Sequence, residues 1–261
     1  MGSDIRDIII NKTKREMLVS LLSKGERVDS RKFGDYRAIE IQKNVIDTAD
    51  GSALAKIGKT NVLAAVKFAV SVPYPDRPKE GTMIAGAEFL QLAHPRFESG
   101  PPREEEIELA RVVDRGIRSA EAIDFNSFFV EDGKVLIMFL DFYVLDDGGN
   151  MLDTAGLAAA AALTCTKVPK VENGAIVVGE YDRDLNPKVI PIPVTSVKIG
   201  HYWMVDPILE EEESCDTRLT ITTTDEHVCS MQKGQGQLSK DELLNNINTS
   251  FNISRDIRRL L

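Results

Sequence analysis

The chain has 261 residues, 43% hydrophobic and 28% charged, enough to bury a core in one large domain or two small ones. A formal charge of -9 excludes a protein that coats nucleic acid with its whole surface, so any RNA or DNA contact must be confined to a local basic face. Cys165, Cys215 and Cys229, odd in number and without CxxC spacing, argue against a disulfide framework or a zinc site and fit a reducing cytoplasm.

No apolar run approaches the roughly 18 to 20 residues of a membrane helix, and the charged start Met1-Gly-Ser-Asp-Ile-Arg-Asp has no signal-peptide core. Ile5 to Ser23 lacks Pro and Gly, carries apolar residues at Ile8, Ile9, Met17, Leu18, Leu21 and Leu22, and predicts a helix stopped by Gly25. Ile39 to Ile46, Ser52 to Ile57 and Asn61 to Val70 alternate or run apolar, with a Gly58-Lys59-Thr60 turn, and predict a small antiparallel sheet. A Pro-rich link, Val72 to Lys79, leads to an extended stretch at Met83 to Leu90. The loop from His94 to Pro102 has no regular pattern; it is either a solvated connector or a loop whose Arg96 and Phe97 face a ligand.

From Arg103 to Ala120 the pattern is helical, with glutamates in the first turns, where the helix dipole favours anions. Leu109, Ala110, Val113, Ile117 and Ala120 form its apolar side; Arg111, Arg115 and Arg118, at i, i+4 and i+7, form a basic stripe opposite. Three aligned guanidinium groups suit a row of phosphates. The competing reading is a solvated helix whose Asp114 pairs with Arg118 and whose Glu108 pairs with Arg111. Val135 to Leu145 predicts a buried strand, and the alanine-rich Thr154 to Thr164 a helix able to approach a sheet closely. Between them, Asp146-Asp147-Gly148-Gly149-Asn150 is either a plain left-handed turn or an anion site at a helix N-terminus.

The second half predicts strands near Ala175 to Val178, Ser196 to Val205, Leu219 to Thr224 and Val228 to Gln232. A final helix follows, opened by the capping box Ser239-Lys240-Asp241-Glu242. Strands followed by helices, twice, indicate an α+β chain of two similar lobes. The run Glu210 to Glu213 reads either as a metal cluster or as a solvated, self-repelling loop. His94, His201 and His227 stand singly, and no Walker, HExxH, GxSxG or CxxC motif occurs.

Arg27-Val28-Asp29-Ser30-Arg31 with Arg37, then Asp50-Gly51-Ser52-Ala53 with Gly58 and Thr60, resemble the opening motif and first hairpin of the RNase PH family. Phe97 to Pro102, the Arg111, Arg115, Arg118 helix and Leu145 to Asn150 are most similar to that family's inactive ring subunit in the archaeal exosome. The resemblance runs from Glu26 to the C-terminus. It implies the RNase PH fold (ribosomal protein S5 domain 2-like), two similar lobes of mixed sheet packed with helices. The expected division is an N-terminal helix over 1–25, a first lobe over 26–170 and a second over 171–261.

Active family members carry a Gly-Ser/Thr-Arg sequence after the glycine turn, where it grips inorganic phosphate; Asn150 and Met151 with Leu152 stand there instead. They also place two metal-associated aspartates six residues apart; counting from Asp206, these fall on Glu212 and Arg218, and the second reverses the charge. The resemblance therefore implies a non-catalytic subunit, itself without cofactor. It would pair with a catalytic RNase-PH-like subunit in a ring of three heterodimers bearing RNA-binding cap subunits. Magnesium and inorganic phosphate would serve the partner's site, where phosphorolysis of single-stranded RNA takes place. Arg111 and Arg115 are the first candidates for its backbone, then Arg118 and Arg96. The alternative is a divergent active phosphorolytic exoribonuclease using Asp206, Glu212 and Asp216 as its carboxylate set.

Overall fold

A computed structural model describes residues 5–261, with side chains from residue 13 onward, so Met1 to Asp4 and the apolar side chains expected at Ile8 and Ile9 lie outside the described residues. Helix α1 (Ile5–Leu22) is followed by strands β1 (Ile39–Lys43), β2 (Gly51–Ile57), β3 (Thr60–Ser71) and β4 (Thr82–Phe89). Helix α2 (Glu104–Ser119), a 3-10 turn at Phe125–Phe128, β5 (Phe129–Glu131), β6 (Lys134–Asp146) and α3 (Met151–Cys165) complete the first half. The second half holds β7 (Lys167–Glu172), β8 (Ala175–Asp184), β9 (Ile192–Ile199), β10 (Tyr202–Val205), α4 (Leu209–Ser214), β11 (Thr217–Thr223), β12 (Val228–Lys233) and α5 (Lys240–Arg258).

The first sheet has the order β1-β2-β3-β6-β4, with β5 on β6; it is mixed, because β4 alone runs parallel to its neighbour. The second sheet, β10-β9-β11-β12, is antiparallel throughout, and β7 and β8 form a separate hairpin. Helices α2 and α3 pack between the two sheets, and α5 covers β9 and β11. The alanines explain the close layering: Ala155, Ala158, Ala159 and Ala162 are buried with almost no exposed surface, and a Cβ on Gly156 would lie 2.3 Å from the Pro193 ring.

The expected single strand over Ser196 to Val205 is two strands, because Gly200 takes φ +63° and turns the chain back between β9 and β10. The hairpin partner β7 carries Lys167, Lys170 and Glu172 out of strict alternation, and Pro169, which hid its strand character. The run of glutamates, expected as an acidic loop, is a helix, α4. Acidic residues in the first turn favour the helix dipole, and the Glu211 carboxylate accepts the Ile208 N–H at 3.0 Å. The α5 capping box forms as expected, with the Ser239 hydroxyl accepting from Glu242 N–H at 3.2 Å. Among the described residues no helix is long and apolar enough to cross a membrane.

Candidate nucleic-acid interface

Two arginines of the opening motif, Arg31 and Arg37, converge on one buried carboxylate, Asp206. Arg37 donates to Asp206 from its backbone and from its guanidinium at 2.7 and 2.9 Å, and Arg31 adds a bond at 2.8 Å. Asn150 gives its amide hydrogens to Asp206 at 2.7 Å and to Asp153 at 2.9 Å. Burial alone would raise the Asp206 carboxyl, but the Arg37 bonds and charge outweigh it and hold it below the ordinary carboxylate range. Arg27 closes the network with a fully buried bidentate pair to Glu211 at 2.5 and 2.9 Å and bonds to the Val205 and Asp206 carbonyls.

The glycine turn belongs to the same joint. Arg37 donates to the Gly148 and Gly149 carbonyls, Gly149 takes φ +86°, and a Cβ there would sit 2.5 Å from the Ile208 backbone. Of the two readings of Asp146 to Asn150, the packing favours a structural turn clamped against the start of α4.

Above the joint, a cleft of about 350 Å³ is lined by residues of β4, the loop after it, α2, α3, α4 and β11, among them Arg96, Glu108, Met151, Glu212 and Arg218. Met151, Glu212 and Arg218 therefore meet in one place, and Asn150 beside Met151 is fully buried. Arg218 stands on β11, not in a loop, and forks onto Glu108 of α2 at 2.7 and 2.8 Å, while Gln232 donates to the same carboxylate at 3.0 Å. Glu108 is the residue that sequence reasoning misplaced. Its i, i+3 spacing suggested Arg111, and only the fold brings β11 and β12 against α2.

The alternative carboxylate set is not assembled. Asp206 is enclosed by arginines, Glu212 lies in the cleft, and Asp216 pairs with Arg15 at 2.7 Å and accepts from Gly200 N–H. Among the described residues no three His, Cys, Asp or Glu side chains converge as a cation site. With Arg218 seated between Glu108 and Glu212, the donor set does not fit a magnesium ion.

Burial pushes the Glu212 carboxyl up to about 7 from its ordinary 4.5, against the pull of the Arg218 charge and with a push from Asp147. Burial likewise raises Asp153 to about 6, although Tyr36 and Thr195 hydrogen-bond its carboxylate. A raised folded value means that the folded state binds the proton more tightly than the unfolded chain. The contribution of Glu212 to stability is therefore full below about pH 4.5 and is lost as pH rises through about 7. That of Asp153 is full below about 3.8 and is lost through about 6, and that of Asp206 runs the other way. Glu212→Gln is expected to remove the first of these losses, read from urea midpoints between pH 4.5 and 8; an unchanged profile would mean the carboxyl titrates normally.

The basic stripe divides. Arg118 is spent inside the molecule: it pairs with Asp114 at 2.9 Å, donates to the Met83 carbonyl and lies over the Phe125 ring at 5.3 Å. Arg111 and Arg115 are exposed and have no hydrogen-bond or ion-pair partner among the described residues. They border a second cleft of about 340 Å³, closed by Ser230, Met231 and Gln232 of β12. Arg96 is partly engaged, bonding Asp147 at 3.0 Å and approaching Glu105 at 3.4 Å.

Helices packed between a mixed sheet and an antiparallel one, with an exposed arginine pair on α2, make an α+β body of the RNase PH fold. The chain belongs to the RNase PH family: the models of the 3′ exoribonuclease family match domain 1 at residues 35–169 and domain 2 at residues 190–253. It is 46% identical over 255 residues to the exosome complex component Rrp42 of Archaeoglobus fulgidus, covering 97% of this chain and 96% of that protein. To the Rrp42 of Pyrococcus horikoshii it is 44% identical over 254 residues, 95% of this chain and 93% of the relative. A solved structure described as the Archaeoglobus fulgidus exosome with RNA bound to the active site superposes with a TM-score of 0.88 at 46% identity, covering 96% of this chain and 98% of the other.

Proposed function

We propose that this chain is the non-catalytic RNase-PH-like subunit of an archaeal exosome. It pairs with the catalytic RNase-PH-like subunit in a ring of three heterodimers and holds single-stranded RNA against the ring. The partner carries the 3′-to-5′ phosphorolysis, in which inorganic phosphate with magnesium attacks the terminal linkage and releases a nucleoside diphosphate. RNA-binding cap subunits sit on the ring, and the assembly works in the cytoplasm. The similarity to Rrp42 components over nearly the whole chain supports this placement.

The observation that carries the non-catalytic reading is the Arg218–Glu108 pair in the cleft. It puts a guanidinium where metal-assisted chemistry needs an oxygen ligand, and metal stabilisation of transition-state charge is worth several kcal/mol. Arg111 and Arg115 carry the RNA-holding role, since they are the exposed, unpaired cations of the α2 stripe. The test is nucleoside diphosphate release from a single-stranded oligoribonucleotide with phosphate and magnesium, using this chain, its partner and the co-purified complex. Activity confined to, or much higher in, the complex is expected. Robust turnover by this chain alone would replace the proposal with the divergent-enzyme reading.

A further inference from the structure

Past Arg118, the α2 stripe ends at a third cleft of about 350 Å³, lined by Tyr74, Asp76, Arg77, Glu80, Gly81, Thr82 and Arg118. Its wall is the link between β3 and β4, whose exposed large apolar side chains are Val72 and Tyr74, 77% and 59% exposed. Tyr74 stands between Pro73 and Pro75, and its carbonyl accepts from Arg77 N–H at 3.0 Å, closing a turn with Pro75 at the position that favours proline. The two prolines and the turn restrict the backbone, so the phenol ring is presented to solvent with little conformational freedom left to lose on binding.

The charges in this cleft differ from those along the stripe. Arg77 faces Glu80 at 3.4 Å and Asp76 at 3.9 Å, and Arg118 is committed to Asp114. Cation and carboxylate balance, which disfavours a phosphate and suits a neutral planar group. Seven helical steps run from Arg111 to Arg118, roughly 10 Å along the axis, a span that a few nucleotides of one strand can bridge. A strand whose phosphates lie on Arg111 and Arg115 therefore reaches Tyr74 within a few nucleotides.

We propose that Tyr74 is a stacking platform for one base of the RNA strand held by the α2 arginines, so that the chain grips RNA by a base face as well as by phosphates. This rests on the RNA-holding role of Arg111 and Arg115. Stacking on an aromatic side chain tolerates any base, which fits beside phosphate contacts that carry no sequence information.

The experiment uses the chain co-purified with its catalytic partner and a single-stranded oligoribonucleotide, intact or with one abasic position walked along it. Tyr74→Ala is expected to weaken binding roughly 5- to 150-fold with the slope of log affinity against log salt unchanged. Tyr74→Phe should restore binding. One abasic position should weaken the wild type and leave Tyr74→Ala unaffected. Wild-type affinity in Tyr74→Ala, alongside weakened binding in Arg111→Glu/Arg115→Glu, would overturn the stacking role and leave the arginine role standing. No effect from either variant would remove both. Loss of co-purification in Tyr74→Ala would make the residue a protein contact and overturn the proposal.

Discussion

Replacing Arg27 by alanine is expected to destabilise the protein by about 3 to 5 kcal/mol, the cost of stranding a buried charge. Both members of the Arg27–Glu211 pair have side chains with no exposed surface, and the guanidinium also satisfies the Val205 and Asp206 carbonyls. Alanine leaves the buried Glu211 carboxylate without its counter-charge, holding only the Ile208 N–H, and takes a donor from the Val205 and Asp206 carbonyls, of which the second keeps Arg31. The double variant Arg27→Met/Glu211→Leu removes both charges together and should lose less, because uncharged side chains of similar volume avoid the desolvation penalty. Urea unfolding of the three proteins measures the difference. A single variant within about 1 kcal/mol of the wild type would show that Glu211 escapes to solvent or becomes protonated.

Reversing two charges on α2 is expected to weaken RNA binding by the co-purified complex roughly 10- to 100-fold at low salt, without affecting assembly. Arg111→Glu with Arg115→Glu removes two phosphate contacts, each worth a slope of about 0.7 for a single strand, so the salt dependence should flatten by about 1.4. Arg118→Ala is the contrasting variant: because Arg118, held by Asp114 of its own helix, ties α2 to β4 through the Met83 carbonyl, its loss should appear in stability before RNA affinity. Unchanged affinity and slope in an intact Arg111→Glu/Arg115→Glu complex would remove the two arginines from the RNA path.

Periodicity revealed most of the first lobe, because its elements are long and one-sided. The α2 stripe, the β6 apolar run and the α3 alanines all lie where their spacing predicts. The second lobe was harder to read. β9 is buried at nearly every position, so alternation could not separate it from β10; only the positive φ of Gly200 divides them. The site was legible in its residue types and in the local Asp114–Arg118 pair, and not in its long-range pairings. Asp206 looks like a metal ligand in sequence, yet residues more than 160 positions away on the chain, Arg31 and Arg37, occupy its oxygens. Glu108 shows the same limitation, since a partner 110 residues distant displaced the neighbour that helix geometry offered.

Helices α2 and α3 lie between the two sheets, and Ile192 of β9 and Ile257 of α5 belong to the same apolar core as the α3 alanines. The boundary near residue 170 therefore divides the topology but not the folding unit. A fragment ending there would expose the face of α3 that β9 covers, and the remainder would have a sheet with one face open to water. The chain should accordingly unfold in a single cooperative transition, with heat or denaturant finding no stable half to leave behind.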